Sequence, residues 1–214
     1  MTSLFNNAAR NPDCFRRWIS RNGSAREQAL ASLVEQAQAV DPAFRLHSHN
    51  VASLSVEIGR ALGIGAADLE ILEFAAAFHD VGKISVPPDV IAKRGPLDED
   101  EWASMRRHPL EGERMLEPHV ESPAILEIVR SHHERWDGTG YPDGLAGDEI
   151  PLGARIVAVA DAFTAMVEPR PYRASRGRAV ARSELLGQAG RQFDLVCARI
   201  GFGVTSRPKA AAAV

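Results

Sequence analysis

The sequence predicts an all-α fold built as one compact helical domain, on three observations. Apolar residues recur at helical spacing through most of the chain, no run alternates convincingly at period two, and helix start and stop residues bracket the periodic segments. With 214 residues and 45% hydrophobic content, the chain can bury one core, since roughly 100–200 residues is the usual size of a domain.

Taken in order, Ser24 with Glu27 forms a capping box, and Leu30, Leu33, Val34 and Ala37 then repeat up to Asp41-Pro42. Val51, Leu54, Ile58 and Leu62 mark a second helix, stopped by Gly63 and Gly65. Leu69, Leu72, Phe74, Ala76 and Ala77 carry a third into His79-Asp80, and Lys83 follows one turn later. Pro87-Pro88 and Gly95-Pro96 bracket a loop, after which Asp98 with Glu101 caps a fourth helix that is expected to run through His108 toward Leu116. Ser122-Pro123 opens a fifth, expected to carry His132-His133. Residues 137–151 hold Gly138, Gly140, Gly144, Gly147 and two prolines, so they read as an irregular but ordered loop. Residues 154–167 are apolar enough to be buried, 175–190 read as a helix with arginines on its exposed side, and Cys197 is expected inside a last helix. The domain is thus expected over 24–202, with 1–23 an N-terminal tail and 203–214 a disordered one. Trp102 and Trp136 read as core or loop anchors, and His49 and His119 as surface residues.

The net charge of −3 argues against general nucleic-acid binding, which normally shows as a strongly basic domain, so an anionic ligand must be caught locally. Cys14 and Cys197 are too few and too far apart for a disulfide framework or a zinc ribbon. The first seven residues lack a basic-then-apolar signal pattern, and no apolar run approaches the ~20 residues of a membrane helix. Together these set the expectation of a cytoplasmic protein without membrane insertion and without a DNA or RNA partner.

His47, His79-Asp80, His108, His132-His133 and Asp161 recur at helix-length intervals. A lone histidine in a helical protein is more often a hydrogen-bonded structural residue than a ligand; the joint arrangement points instead to several helices aiming metal-binding groups at one centre. Asp80 follows Phe74-Ala75-Ala76-Ala77-Phe78-His79 and Asp161 follows Ile156-Val157-Ala158-Val159-Ala160. Carboxylates at such apolar positions are costly unless paired, hydrogen-bonded or metal-bound. Adjacent helical residues diverge by about 100°, so each doublet suits two neighbouring metals better than one, with Asp80 the natural bridge.

These residues carry a resemblance. His79-Asp80 with Val81-Gly82-Lys83, His108-Pro109 with Gly112, the string His132-His133-Glu134-Arg135-Trp136-Asp137-Gly138-Thr139-Gly140-Tyr141-Pro142, Ile150-Pro151-Leu152, Ala160-Asp161 and Arg170-Pro171-Tyr172-Arg173 resemble the HD-GYP family of cyclic dinucleotide phosphodiesterases over about residues 29–195. The resemblance implies a helical bundle of the HD phosphohydrolase type with the GYP loop over the metal site. It implies that His47, His79, Asp80, His108, His132, His133 and Asp161 are metal ligands, with Asp80 bridging. Lys83 would lie beside the scissile phosphate and offset the charge that develops there. Members with a third metal carry a glutamate four residues before the first ligand histidine; Ala43 stands there, so two divalent ions are expected, iron or manganese by family habit.

The implied reaction is hydrolysis of cyclic di-GMP to linear pGpG or GMP by a hydroxide bridging the two ions, with Asp80 and Lys83 as the catalytic residues. Lys83, Gly140, Tyr141, Arg170 and Arg173 match the family's substrate-binding positions; aromatic rings stack on bases, guanidinium forks hold phosphates, and glycines allow close approach. Residues 168–191 hold six arginines against two glutamates, a local charge of +4, with Arg178 and Arg182 read as a solvated helix face. Asn50 stands where arginine is usual and Thr164 where aspartate is frequent. The rival readings are a non-hydrolysing module that binds the dinucleotide, and the same chemistry on cyclic GMP-AMP. Regulation would come from signalling proteins acting in trans or from a region outside the chain.

Overall fold

The structure, a computed structural model, describes residues 13–169 and 175–206. Among these, α1 (Ala25–Val40), α2 (Phe44–Ala61), α3 (Ala66–Phe78), α4 (Pro88–Ala92), α5 (Glu99–Met105), α6 (His108–Leu116), α7 (Pro123–Ser131), α8 (Leu152–Val167), α9 (Arg178–Gly187) and α10 (Leu195–Ser206) follow one another with 3₁₀ turns between, and there is no β-strand. The only extended pairings among them are two isolated bridges, one of which, Asp137 with Ala146, pins the base of the loop over 137–151. Among the described residues no helix is long and apolar enough to cross a membrane.

The core forms where α3 and α8 pack against α2, each burying its apolar residues there. From Phe74 to Phe78 every residue of α3 is buried, as expected of a helix that is apolar all round. α2 packs against α3 on one side and α8 on the other, and α7 closes against α3, α6 and α8. At the ends of these central helices, the sequence turns polar while remaining inside, which is where the chemistry collects.

Three boundaries differ from expectation. The expected fourth helix is two, broken at Arg106-Arg107. Pro109 explains the break: it has no N–H to give the carbonyl of Met105, four residues back, and its ring crowds that carbonyl. The tail expected over 1–23 contributes to the core, because Phe15 is fully buried, stacked on Phe44 at 5.7 Å and edge-on to Phe78 at 5.1 Å, with Trp18 against Phe74 at 5.2 Å. At the other end α10 continues through Ser206; 207–214 lie outside the described residues.

Single residues also moved. Trp102 is 43% exposed, so it is no core anchor, whereas Trp136 does anchor its loop, donating its N–H to Gln192 and lying under the Arg155 guanidinium. His49 and His119 are half-buried rather than superficial. Arg178 and Arg182 do not merely face solvent: both donate to the Thr205 carbonyl near the end of α10, and they lie over Phe163 and Phe202. Cys197 is buried on α10, as expected.

Candidate metal centre

The ligand candidates are delivered by helix ends. His79 caps the C-terminus of α3, His132 that of α7, and His108 starts α6 just after α5 ends. The last carbonyls of a helix lack intrahelical partners, and each of these rings uses one: His79 Nδ1 bonds the Ala76 carbonyl at 2.8 Å, His108 Nδ1 that of Met105 at 2.8 Å, and His132 Nδ1 that of Val129 at 2.6 Å. Pro109 is why the Met105 carbonyl is free. A carbonyl only accepts, so all three Nδ1 atoms carry the proton and all three Nε2 atoms present lone pairs.

Those lone pairs converge. The Nε2 atoms of His108 and His132 face each other at 3.2 Å, an arrangement that repels unless a cation sits among them. His79 Nε2 is buried, 3.4 Å from Asp80 Oδ2, with no hydrogen bond. Around Asp80 the donor atoms fall into two overlapping groups, Asp80 with His108, His132 and His133, and Asp80 with His47 and His79. Asp161 joins the second through His47 Nε2 at 3.0 Å. All seven predicted ligands are therefore brought together, and their donor set of imidazoles and carboxylates without a thiolate fits a borderline divalent metal. The structure answers the cost of a buried Asp80 and a half-buried Asp161 with this constellation.

Electrostatics point the same way. Burial pulls the pKa of His79 down, burial and neighbouring His133 pull His132 far down, and burial with His108 lowers His133 to about 3, so these rings stay neutral, the form a metal needs. Burial opposes ionisation of Asp80, but Lys83, His79 and His108 outweigh it and hold the carboxyl well below the usual range. His47 balances differently: burial disfavours its cation, yet the carboxylates of Asp161 and Glu168 prevail and push it up to about 9. Lys83 lies on the 3₁₀ turn Val81–Ser85 with Nζ 2.6 Å from Asp80 Oδ2, so one positive charge already sits at the centre.

The loop over 137–151 rises beside it. Glu134, buried, accepts the N–H groups of Asp143 and Gly144, and Arg130 clamps Asp143 to Glu113. Tyr141 stacks on His133 with centroids 5.0 Å apart. A Cβ on Gly140 would lie 2.4 Å from the Arg135 nitrogen and 2.5 Å from Glu134 Cα, so here glycine serves the packing of the loop on its own chain. Arg170 and Arg173 lie outside the described residues.

Sequence reasoning missed Glu168 and the use of Asn50. Glu168 accepts from His47 at Nδ1 and from Asn50, and its only sequence signal is a carboxylate ending the apolar run of α8. Glu134 stood in the quoted string without a role.

A helical chain that converges five imidazoles and two carboxylates on one centre defines a metal-binding protein. Residues 29–195 match the HD domain family, and the chain belongs to that family, in its HD-GYP branch. Over 172 residues it is 42% identical to the cyclic di-GMP phosphodiesterase response regulator RpfG of Xanthomonas campestris, covering 78% of this chain and 44% of that one. Over 174 residues it is 34% identical to a 3'3'-cGAMP-specific phosphodiesterase of Vibrio cholerae, covering 79% and 33%. The chain thus spans less than half the length of these relatives. Among solved structures, Bd1817, an HDG"Y"P protein from Bdellovibrio bacteriovorus, shares the fold with a TM-score of 0.64 at 21% identity, over 84% of this chain and 61% of that one.

Proposed function

We propose that the chain is a divalent-metal-dependent phosphodiesterase that hydrolyses cyclic di-GMP to linear pGpG or GMP, using two ions, iron or manganese. The observation that carries this reading is the pair of overlapping ligand groups sharing Asp80. Bound divalent ions supply hydroxide near neutral pH and stabilise the attacking and leaving oxygens of a phosphodiester.

The chain's own residues do the rest. His47, His79, His108, His132, His133, Asp80 and Asp161 would hold the ions, Asp80 serving both. Lys83, already 2.6 Å from Asp80, offsets negative charge as it builds on the phosphate. Tyr141 offers a ring for stacking at the mouth, and Arg170 and Arg173, from their sequence positions, add cations for the second phosphate. The names of the Xanthomonas and Vibrio relatives support a cyclic dinucleotide; the latter favours, as a second reading, cyclic GMP-AMP. Control by signalling proteins acting in trans and a cytoplasmic setting belong to the same proposal; the unpaired Cys14 and Cys197 suit a reducing compartment.

The test is product analysis after anaerobic loading with Fe²⁺ or Mn²⁺, with cyclic di-GMP and cyclic GMP-AMP as parallel substrates. Linear product is expected from the first, and Asp80→Ala should lower turnover by about a thousandfold or more, several kcal/mol of lost metal assistance, with the helices intact by circular dichroism. Preference for cyclic GMP-AMP would shift the reading to the second substrate, and binding without product would make the chain a receiver of the signal.

A further inference from the structure

His47 has a problem the other ligands do not. His79, His108 and His132 stand at helix ends, where spare carbonyls accept their Nδ1 protons. His47 lies inside α2, where the carbonyl four residues back, that of Ala43, already takes its own backbone N–H at 2.9 Å. An imidazole in a helix interior needs an acceptor from another element to settle which nitrogen keeps the proton.

Glu168 is that acceptor. It caps the C-terminus of α8, is 7% exposed, and brings Oε2 to 2.9 Å from His47 Nδ1. Its other oxygen accepts from Asn50 Nδ2 at 2.7 Å, one helical turn beyond His47 on α2. On the far side of the ring, Nε2 faces Asp161 at 3.0 Å and Asp80 at 3.9 Å. Glu168 therefore touches the back of the ligand and cannot itself reach the donor groups around Asp80 through that ring. Asn50 matters for the charge. An arginine there would bind the carboxylate as an ion pair, whereas the neutral amide holds one oxygen and leaves the charge to the imidazole.

We propose that Glu168 is the positioning residue for His47: it holds the Nδ1 proton and so presents the Nε2 lone pair to a divalent ion, with Asn50 holding Glu168 in place. Partners of this kind fix the tautomer and raise the basicity of a ligand histidine. The inference rests on the metal-centre reading and not on any substrate.

The test is calorimetric titration of the metal-free protein with Mn²⁺ and with Zn²⁺ alone, beside ¹⁵N histidine spectra of the Zn²⁺ form. Glu168→Ala should weaken ion binding by about 10- to 100-fold and lose the fixed Nδ1–H form of His47. Glu168→Gln, whose amide oxygen still accepts the Nδ1 proton but carries no charge, should keep the tautomer and recover only part of the affinity, a split that a space-filling role would not produce. Should the alanine variant fail to fold, Glu168→Asp, drawn back by one methylene, is expected to show the same weakening. Variants that bind ions as tightly as the unaltered protein, with the His47 signals unmoved, would overturn the proposal alone. An unaltered protein that takes up no ion would overturn the metal-centre reading beneath it.

Discussion

Gly82 sits where no side chain fits. A Cβ there would lie 2.0 Å from the His108 carbonyl oxygen and 2.4 Å from the Gly112 nitrogen, both backbone atoms that cannot swing aside. The turn bearing Asp80 and Lys83 thus presses directly on α6, which bears His108. Gly82→Ala should separate the two, costing about 2 kcal/mol or more in urea unfolding of the metal-free protein and weakening Mn²⁺ uptake. At this scale the sequence was most legible where chemistry is written in residue types: the seven candidate residues lie together around Asp80. It was silent where the role depends on an unpredictable neighbour. Glu168 looks like one more surface anion beside six arginines, and only the crossing of α2 and α8 brings it to His47. Gly140 has a second demand on its small size that the sequence did not show, the Glu134-Arg135 backbone beneath it.

Among the elements, helices with caps and long apolar stripes were readable to within a residue or two: α1 starts after the Ser24 box and α3 runs into His79. The split between α5 and α6 was not foreseen, although Pro109 was visible, because proline in the first turn of a helix and proline inside one look alike until the chain direction is known. That split frees the carbonyl that orients His108. The start of α10 was equally hidden. Asp194 there accepts from the N–H groups of Val196 and Cys197 and pairs with Arg155 at 2.9 Å, and although burial opposes its ionisation these contacts lower its pKa. Asp194→Ala should cost about 1 to 2 kcal/mol at pH 7. A carboxyl whose folded pKa is depressed stabilises above its unfolded value near 4 and loses that contribution as pH falls through the folded one. The gap between the urea midpoints of the variant and the unaltered chain should therefore narrow as pH falls below about 4; a gap that widens as the solution is acidified would contradict the assignment.

The whole molecule joins these parts through one core that begins before the expected boundary. Phe15 fills the space between Phe44 and Phe78, directly beneath the α3 end that presents His79 and Asp80. Phe15→Ala should cost about 3 to 4 kcal/mol in chemical denaturation, a large part of an ordinary domain's stability, while a result under 1 kcal/mol would restore residues 13–23 to the status of a tail. The fold class was legible throughout because helical periodicity is a local signal; the N-terminal contribution was not, since a single aromatic residue without periodicity gives no sign of where it docks.

At this scale the central claim is that the three helix ends bearing His79, His108 and His132, with α2 and α8, together hold two ions across Asp80. Its most direct measurement is anomalous diffraction from a crystal of the Mn²⁺-loaded protein. Two peaks about 3.5–4 Å apart, flanking the Asp80 carboxylate, are expected. One peak, or two that do not share Asp80, would contradict the two-ion centre.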